Sequence, residues 1–197
     1  MTDIVALRAA SAQRSDFDEL GSLPVRRIMV TPARTDELDA LLELAVAEIP
    51  ALRAAGPAVH RVQSHHPQSI WAFHRGGRIV GCYAMLHLNI QGLAQLLAGI
   101  FDGGNPDVAL LARPGETVAA IYKWAVVAPG LAAEGIRAIS HQLATPLFAR
   151  ADLFARATTP AAARLMSHLG FTPMSARHPE RLRYVRKVNR MTLAHVA

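Results

Sequence analysis

The sequence has almost no cysteine and no long apolar run, and each of these shortages excludes a class of protein. It also has very little lysine. Cys82 is the only cysteine among 197 residues, which rules out a disulfide within the chain and a cysteine-based zinc site. Charges interrupt the apolar stretches before they reach the roughly 20 residues of a bilayer-spanning helix. The N-terminal stretch lacks the basic-then-apolar order of a secretory signal. These features predict a cytoplasmic protein with no membrane partner.

Arginine carries nearly all of the positive charge. It supplies 19 of the 21 basic residues, and the formal net charge is +6. An excess of this size attracts anions, whether nucleic acid or a phosphorylated cofactor. Because the arginines are scattered, the pattern disfavours nucleic acid, which needs cations at phosphate spacing. The alternative interpretation is a composition bias with no binding role.

Hydrophobic periodicity predicts a mixed α/β protein, of the α+β class, in residues 25–197, preceded by a polar appendage at 1–24. Gly76-Gly77 separates two strand-like runs and predicts a tight hairpin turn. Gly170 lies where a helix should end. Strands are predicted at 25–30, 117–127, 152–157, 171–174 and 182–188, with helices beginning near residues 35, 90, 132 and 160.

Three stretches in this order carry a family resemblance: GRIVGCYAML, KWAVVAPGLAAEGIRAIS and ARATTPAAARLMSHLGFTPM. They follow one another as a hairpin, a long strand ending in V-x-P, a helix, a strand and a helix ending in G-F. This order resembles the GNAT superfamily of acyl-CoA-dependent N-acyltransferases. The resemblance implies a central, twisted, mostly antiparallel sheet with helices on both faces. It also makes residues 89–116 a helical insertion, whose role as a lid over an acyl groove, a dimer surface or extra core stays open.

The resemblance further implies where an acyl-CoA donor, acetyl-CoA or another, would bind. Backbone at Val126 and Val127 would meet the pantetheine arm, and the turn after Pro129 would surround the diphosphate with amides at a helix N-terminus. Ala132 stands at the family's usual Arg, Ala133 and Gly135 at its glycines, and Arg137 at its last small residue. The implied donor-binding residues are therefore Val126, Val127, Ala132, Ala133, Gly135, Ile136, Arg137 and Thr159.

The catalytic residues of the resembled family are largely replaced in this sequence. Met166 stands where many relatives have a tyrosine acid, and Ala119-Ala120 where many have a glutamate base. Tyr122, His87 and Ser167 are the remaining candidates for proton transfer. Acyl transfer does not strictly need such groups, because a thioester is already activated and positioning supplies much of the acceleration.

The function predicted from these residues is transfer of an acyl group, acetyl in the simplest case, from CoA to a small-molecule or peptide amine. One alternative is a catalytically silent GNAT-fold protein that binds a ligand or a partner. Another is transfer of a long acyl chain, or transfer from an acyl carrier protein. Homodimerisation stays open.

Two further groups of polar residues invite a functional interpretation. His60, His65 and His66 come close together, but no acidic residue lies between positions 51 and 81, and the sequence predicts no metal site. Lys123 in the middle of a central strand predicts either a wet surface or a paired ammonium group.

Overall fold

The computed structural model describes residues 27–130, 132–158 and 160–186, and within them the chain forms one seven-stranded sheet. The strands run in the spatial order β1-β2-β3-β4-β5-β7-β6. Their bounds are Met29–Pro32 (β1), Ile70–Arg75 (β2), Arg78–Leu88 (β3), Ala120–Val127 (β4), Asp152–Arg156 (β5), Thr172–Ser175 (β6) and His178–Tyr184 (β7). The predicted appendage at 1–24 lies outside the described residues.

Every neighbouring pair of strands is antiparallel except β4 and β5, which are parallel. A parallel pair needs a crossover connection, and a helix after β4 supplies it. The helices are Leu38–Glu48 (α1), Gly56–His65 (α2), Ile90–Ala98 (α3), Ala132–Leu143 (α4) and Pro160–His168 (α5). The predicted fold class, a mixed and mostly antiparallel sheet flanked by helices, is confirmed.

The hairpin between β2 and β3 turns at the two glycines that predicted it. Gly76 and Gly77 have φ angles of 60° and 80°, and Arg75 pairs directly with Arg78. Both glycines take the left-handed conformation that a two-residue primed turn requires. The structure differs from the sequence prediction in two elements. Helix α2 at Gly56–His65 is absent from the sequence prediction, and β7 begins at His178 and ends at Tyr184 instead of spanning 182–188.

Two apolar cores lie on the two faces of the sheet. On one face α1, α2 and α3 pack against alternate residues of β3 and β4, including Leu86 and Tyr122. On the other face α4 and α5 pack against the intervening residues, including Met85 and Ile121. Period-two alternation along a strand produces this division, and it decides which side chains can meet in a site.

The segment at 89–116 packs onto the first of these cores. Asn89 caps α3 by accepting hydrogen bonds from the amides of Gln91 and Gly92 at 3.0 and 2.9 Å. Leu96 and Phe101 are buried. Helical periodicity predicts an inward stripe of five residues here, but three of them are exposed: Ile90, Leu97 and Ile100. The segment therefore adds core, with apolar side chains also left on its outer surface.

No helix in the described part of the chain is long and apolar enough to cross a membrane.

Asp152 joins the start of β5 to the end of β7. Its carboxylate accepts hydrogen bonds from Arg183 Nε and from the amide of Arg186, both at 3.0 Å. Hydrogen bonds to a partly buried charged group contribute more than those of an exposed pair.

Replacing Asp152 with Asn is expected to lower the free energy of unfolding by about 1–2 kcal/mol, because the charge-assisted contacts are lost while the side-chain shape is kept. Urea denaturation measures this change. Asp39→Asn, at an exposed contact with His60, is the matched control and should change stability by less than about 0.5 kcal/mol. Equal effects of the two variants would contradict the structural role of Asp152.

Candidate functional site

The sheet opens between β4 and β5 part-way along β4. The two strands pair at only three positions, Ala120 with Asp152, Ile121 with Leu153 and Tyr122 with Phe154. On its other edge β4 stays paired with β3 as far as Val127. Among the described strands, none pairs with the β5 side of β4 beyond Tyr122, so this edge leaves backbone groups available to a ligand.

A β-bulge lies where the opening begins. Ala84 pairs with Ala125 and Met85 with Lys123, so Trp124 is the extra residue of β4. Its indole donates a hydrogen bond to the Gly103 carbonyl at 2.7 Å, which ties the bulge to the segment at 89–116. A bulge bends a strand and increases its twist, and this contributes to the divergence of β4 from β5.

Helix α4 begins directly after the open edge. The chain leaves β4 at Val127 and passes Gly130, whose φ is 65°, before the helix starts at Ala132. The first amides of a helix have no intrahelical acceptor, so those of Ala132 and Ala133 can donate hydrogen bonds to an anion. Glu134 also lies in this first turn, and its negative charge opposes binding of a second anion there.

A partly open cleft lies on the side of the sheet covered by α3, beside the point where β4 and β5 part. Tyr122 and Phe154, the last pair of the two strands, both line it. The complete lining is Leu96, Gly99, Phe101, Tyr122, Phe154, Ala155, Arg156, Met174 and Arg181.

The sequence matches no protein-family model and no curated protein. The fold, in contrast, is similar to three solved structures. One is titled histone acetyltransferase HPA2 and related acetyltransferase, from Corynebacterium glutamicum, with a TM-score of 0.50 and 16% identity, covering 83% of this chain and 99% of that chain. Another is the loading GNATL domain of CurA from Lyngbya majuscula, with a TM-score of 0.53 and 12% identity, covering 79% and 94%. The chain has the GNAT fold.

PH1933 from Pyrococcus horikoshii shares this GNAT fold, with a TM-score of 0.51, 12% identity and coverage of 83% of this chain and 99% of that chain. At such identities the likeness shows the architecture alone. The roles of individual residues therefore depend on where this structure puts them.

The predicted donor-binding residues of this GNAT fold follow one another along β4 and α4. Val126 and Val127 lie on the open part of β4, and both side chains are buried. Ala132, Ala133, Gly135, Ile136 and Arg137 all lie in the first two turns of α4, where only the first amides have no intrahelical acceptor. The Arg137 side chain is exposed. Thr159 lies outside the described residues, and all these roles stay predictions.

Gly135 has a packing role that the family pattern does not reveal. A Cβ added to it would lie 2.7 Å from the Phe73 ring, and one added to Gly81 would lie 3.0 Å from the same ring. Phe73 therefore fits against glycine on both α4 and β3. Sequence periodicity finds Phe73 as a buried strand residue but gives no sign that its ring contacts Gly135.

The three predicted proton-transfer residues are not brought together. Tyr122 lines the cleft on the α3 side of the sheet. His87 is buried on the opposite face, where its ring stacks on Phe148 with centroids 5.0 Å apart. Ser167 is exposed on α5, next to the buried Met166. Only Tyr122 thus contacts the cleft, and the catalytic roles of all three stay predictions.

Lys123 is the first residue of β4 beyond the β5 pairing. Its ammonium group lies 4.6 Å from the centroid of the Phe171 ring. Burial, together with the positive charge of Arg186, lowers the pKa of Lys123 to about 8. The sequence predicts a wet or paired lysine, and the described partner is an aromatic ring. A lysine with this pKa is partly neutral under mildly basic conditions.

His87 stays neutral because its surroundings disfavour a charge. Neither ring nitrogen has a hydrogen-bond partner among the described residues, and the His66 ring lies 4.1 Å away. Burial first, and the charge of His66 second, lower the pKa of His87 from 6.5 to about 3.

Gly135→Ala is expected to lower the free energy of unfolding by about 1–2 kcal/mol, because the steric conflict with Phe73 exceeds the helix propensity gained by alanine. Thermal or urea denaturation measures it. In a Phe73→Leu background, Gly135→Ala should lower the free energy of unfolding much less, since the smaller side chain at position 73 leaves room for the added methyl group. A loss of stability that is identical in both backgrounds would contradict the packing role.

The pKa of His87 predicts a pH dependence of stability. Because the folded-state pKa is depressed, the contribution of His87 is fully present above pH 6.5 and is lost as the pH falls toward 3, at about 1.4 kcal/mol per pH unit. Between pH 7 and pH 5, the free energy of unfolding should therefore fall by about 2 kcal/mol less in His87→Leu than in the unmodified protein. Urea denaturation at several pH values measures this, with the exposed His141→Gln as control. Parallel pH profiles for His87→Leu and the unmodified protein would refute it.

Proposed function

We propose that this protein is an N-acyltransferase that moves an acyl group, acetyl in the simplest case, from CoA to an amine. The observation that carries the proposal is the open edge of β4 from Lys123 to Val127, which leads directly to the first turn of α4. An extended arm with amide groups can add to such an edge as an extra strand does, and a diphosphate can accept hydrogen bonds from a helix N-terminus.

The chemistry expected at the opening is attack of a neutral amine on a thioester. The donor supplies an activated acyl group: a C–N bond forms, the C–S bond breaks, and the CoA thiolate leaves and takes up the proton that the amine loses. Backbone amides near Val126 polarise the acyl carbonyl. Tyr122 is the side chain in the cleft that can exchange a proton with the reacting groups.

Catalysis in this chain depends mainly on positioning. Met166, at the family's usual tyrosine position, is buried, and Ala120 on β4 has no carboxylate. General acid–base catalysis typically raises the rate of a reaction about 10²–10⁴-fold. Because the family's usual acid and base are absent, we expect a slow enzyme. CoA binding without any turnover would indicate the silent GNAT-fold module instead. The acyl chain length and a carrier-protein donor are tested with the same assay, using acetyl-CoA, long acyl-CoAs and acylated carrier protein.

CoA is expected to raise the thermal stability of the protein, by about 2.7 kcal/mol at a hundred times its Kd. Because the pantetheine arm contributes along β4, CoA should bind more tightly than ADP. Thermal unfolding and calorimetric titration with CoA and with ADP measure both effects. No shift with CoA, or equal binding of CoA and ADP, would overturn the proposed donor site.

The charge of Glu134 gives a sharper test of the same site. Glu134→Gln should strengthen CoA binding about two- to fivefold at low salt, because it removes a negative charge from the first turn that meets the diphosphate. Glu43→Gln, an equally exposed acid on α1, is the matched control and should leave the Kd unchanged. An equal response of the two variants would place the diphosphate elsewhere.

A further inference from the structure

The cleft beside Tyr122 has apolar walls and two guanidinium groups. Leu96, Phe101 and Met174 supply apolar surface, while Arg156 and Arg181 supply positive charge. None of the residues that line the cleft is acidic. A ligand that matches this surface has an apolar body and a negative charge.

The two arginines are held close together by the sheet. Arg156 of β5 and Arg181 of β7 are direct cross-strand partners, and both line the cleft. The nearest carboxylate oxygen described for Arg181 belongs to Glu180, at 4.0 Å from Nε, at the limit for an ion pair. The two arginines therefore give this part of the cleft a positive charge.

Helix α3 helps to fix the position of the Arg181 guanidinium. Arg181 Nη1 donates a long hydrogen bond, 3.4 Å, to the carbonyl of Gly99, the residue that ends α3. A Cβ added at Gly99 would lie 2.6 Å from Nη1, so a larger residue there would displace the guanidinium group. Most of the Arg181 side chain is shielded from solvent, with 25% of it exposed. A shielded, oriented guanidinium binds an oxyanion more strongly than a surface arginine does.

We infer that the cleft binds the carboxylate of the acceptor, and that the acceptor is a small amine with an apolar body, such as an apolar amino acid. Arg181 and Arg156 bind the carboxylate, and the apolar walls take the side chain. The position of Tyr122, at the last residue pair before the strands part, puts this cleft next to the open edge of β4. The inference depends on the proposed acyl transfer for the amine group of the acceptor. Binding of the acceptor's carboxylate in the cleft does not depend on that proposal.

Matched pairs of amines test the carboxylate. Acetyl-CoA turnover is measured with L-phenylalanine and phenethylamine, and with L-leucine and isopentylamine, each pair differing in the carboxylate alone. Hydrogen bonds to a charged group predict a kcat/KM about 10- to 100-fold higher for the amino acid. Equal or faster turnover of the carboxylate-free amines would overturn the inference and leave the transferase proposal intact.

Arg181→Met keeps the aliphatic stem and removes the charge. It should lower kcat/KM for L-phenylalanine about 10- to 100-fold and that for phenethylamine less than about threefold. Arg164→Met, at an exposed position on α5, is the control and should change neither. The unfolding midpoint of each variant shows whether it is folded, and Arg156→Met gives an independent second variant. Equal losses for both amines in folded Arg181→Met would refute a role in carboxylate recognition.

Direct binding separates failure of this inference from failure of the proposed function. Calorimetric titration of 3-phenylpropanoate, which has the carboxylate and no amine, needs no donor. Binding that Arg181→Met abolishes would support the cleft even if CoA does not bind. No binding of 3-phenylpropanoate, together with no turnover of either amino acid, would overturn it. Tighter binding of phenyl phosphate than of 3-phenylpropanoate would assign the cleft to phosphates and also overturn it.

Discussion

The end of the β4–β5 pairing at Tyr122 and Phe154 is the constraint on which the rest of the structure depends. Beyond it β4 stays with β3, whereas Arg156 of β5 continues in register with β7. The bulge at Trp124 adds twist at the same place and so contributes to the separation of the two strands. An uncovered strand edge in the middle of a sheet is unfavourable, and binding an extended ligand there both covers the edge and orients the ligand.

The division of the sheet into two faces limits the chemistry at this opening. In the β3–β4 register Leu86 pairs with Tyr122 and His87 with Ile121, so Tyr122 and His87 point to opposite faces. They cannot form one proton relay. His87, without a hydrogen-bond partner among the described residues and with a pKa near 3, behaves as an aromatic core residue. In the proposed acyl transfer, orientation of the reactants therefore has to lower the barrier more than acid–base catalysis does.

The architecture could be predicted from the sequence because its signals are local. The Gly76-Gly77 turn, the helix that begins near residue 90 and the order of elements around Pro129 each depend on neighbours in the chain. The site depends on contacts between distant residues. Nothing in the sequence indicates that Gly135 touches Phe73, that Gly99 touches Arg181, or that Arg156 lies opposite Arg181, because register across non-consecutive strands has no local signature.

The distribution of charge differs from what the family pattern implies. That pattern concentrates anion binding at the turn before α4, yet this first turn contains Glu134, and the exposed Arg137 lies further along the helix. The cross-strand partners Arg156 and Arg181 line the cleft beside Tyr122 instead. If the proposed reaction is right, affinity for the donor has to come largely from uncharged backbone contacts along β4, whereas affinity for the proposed acceptor comes from charge. Screening by salt acts on charged interactions far more than on backbone hydrogen bonds, so under the proposal the two cleft arginines bear on acceptor selection more than on donor binding.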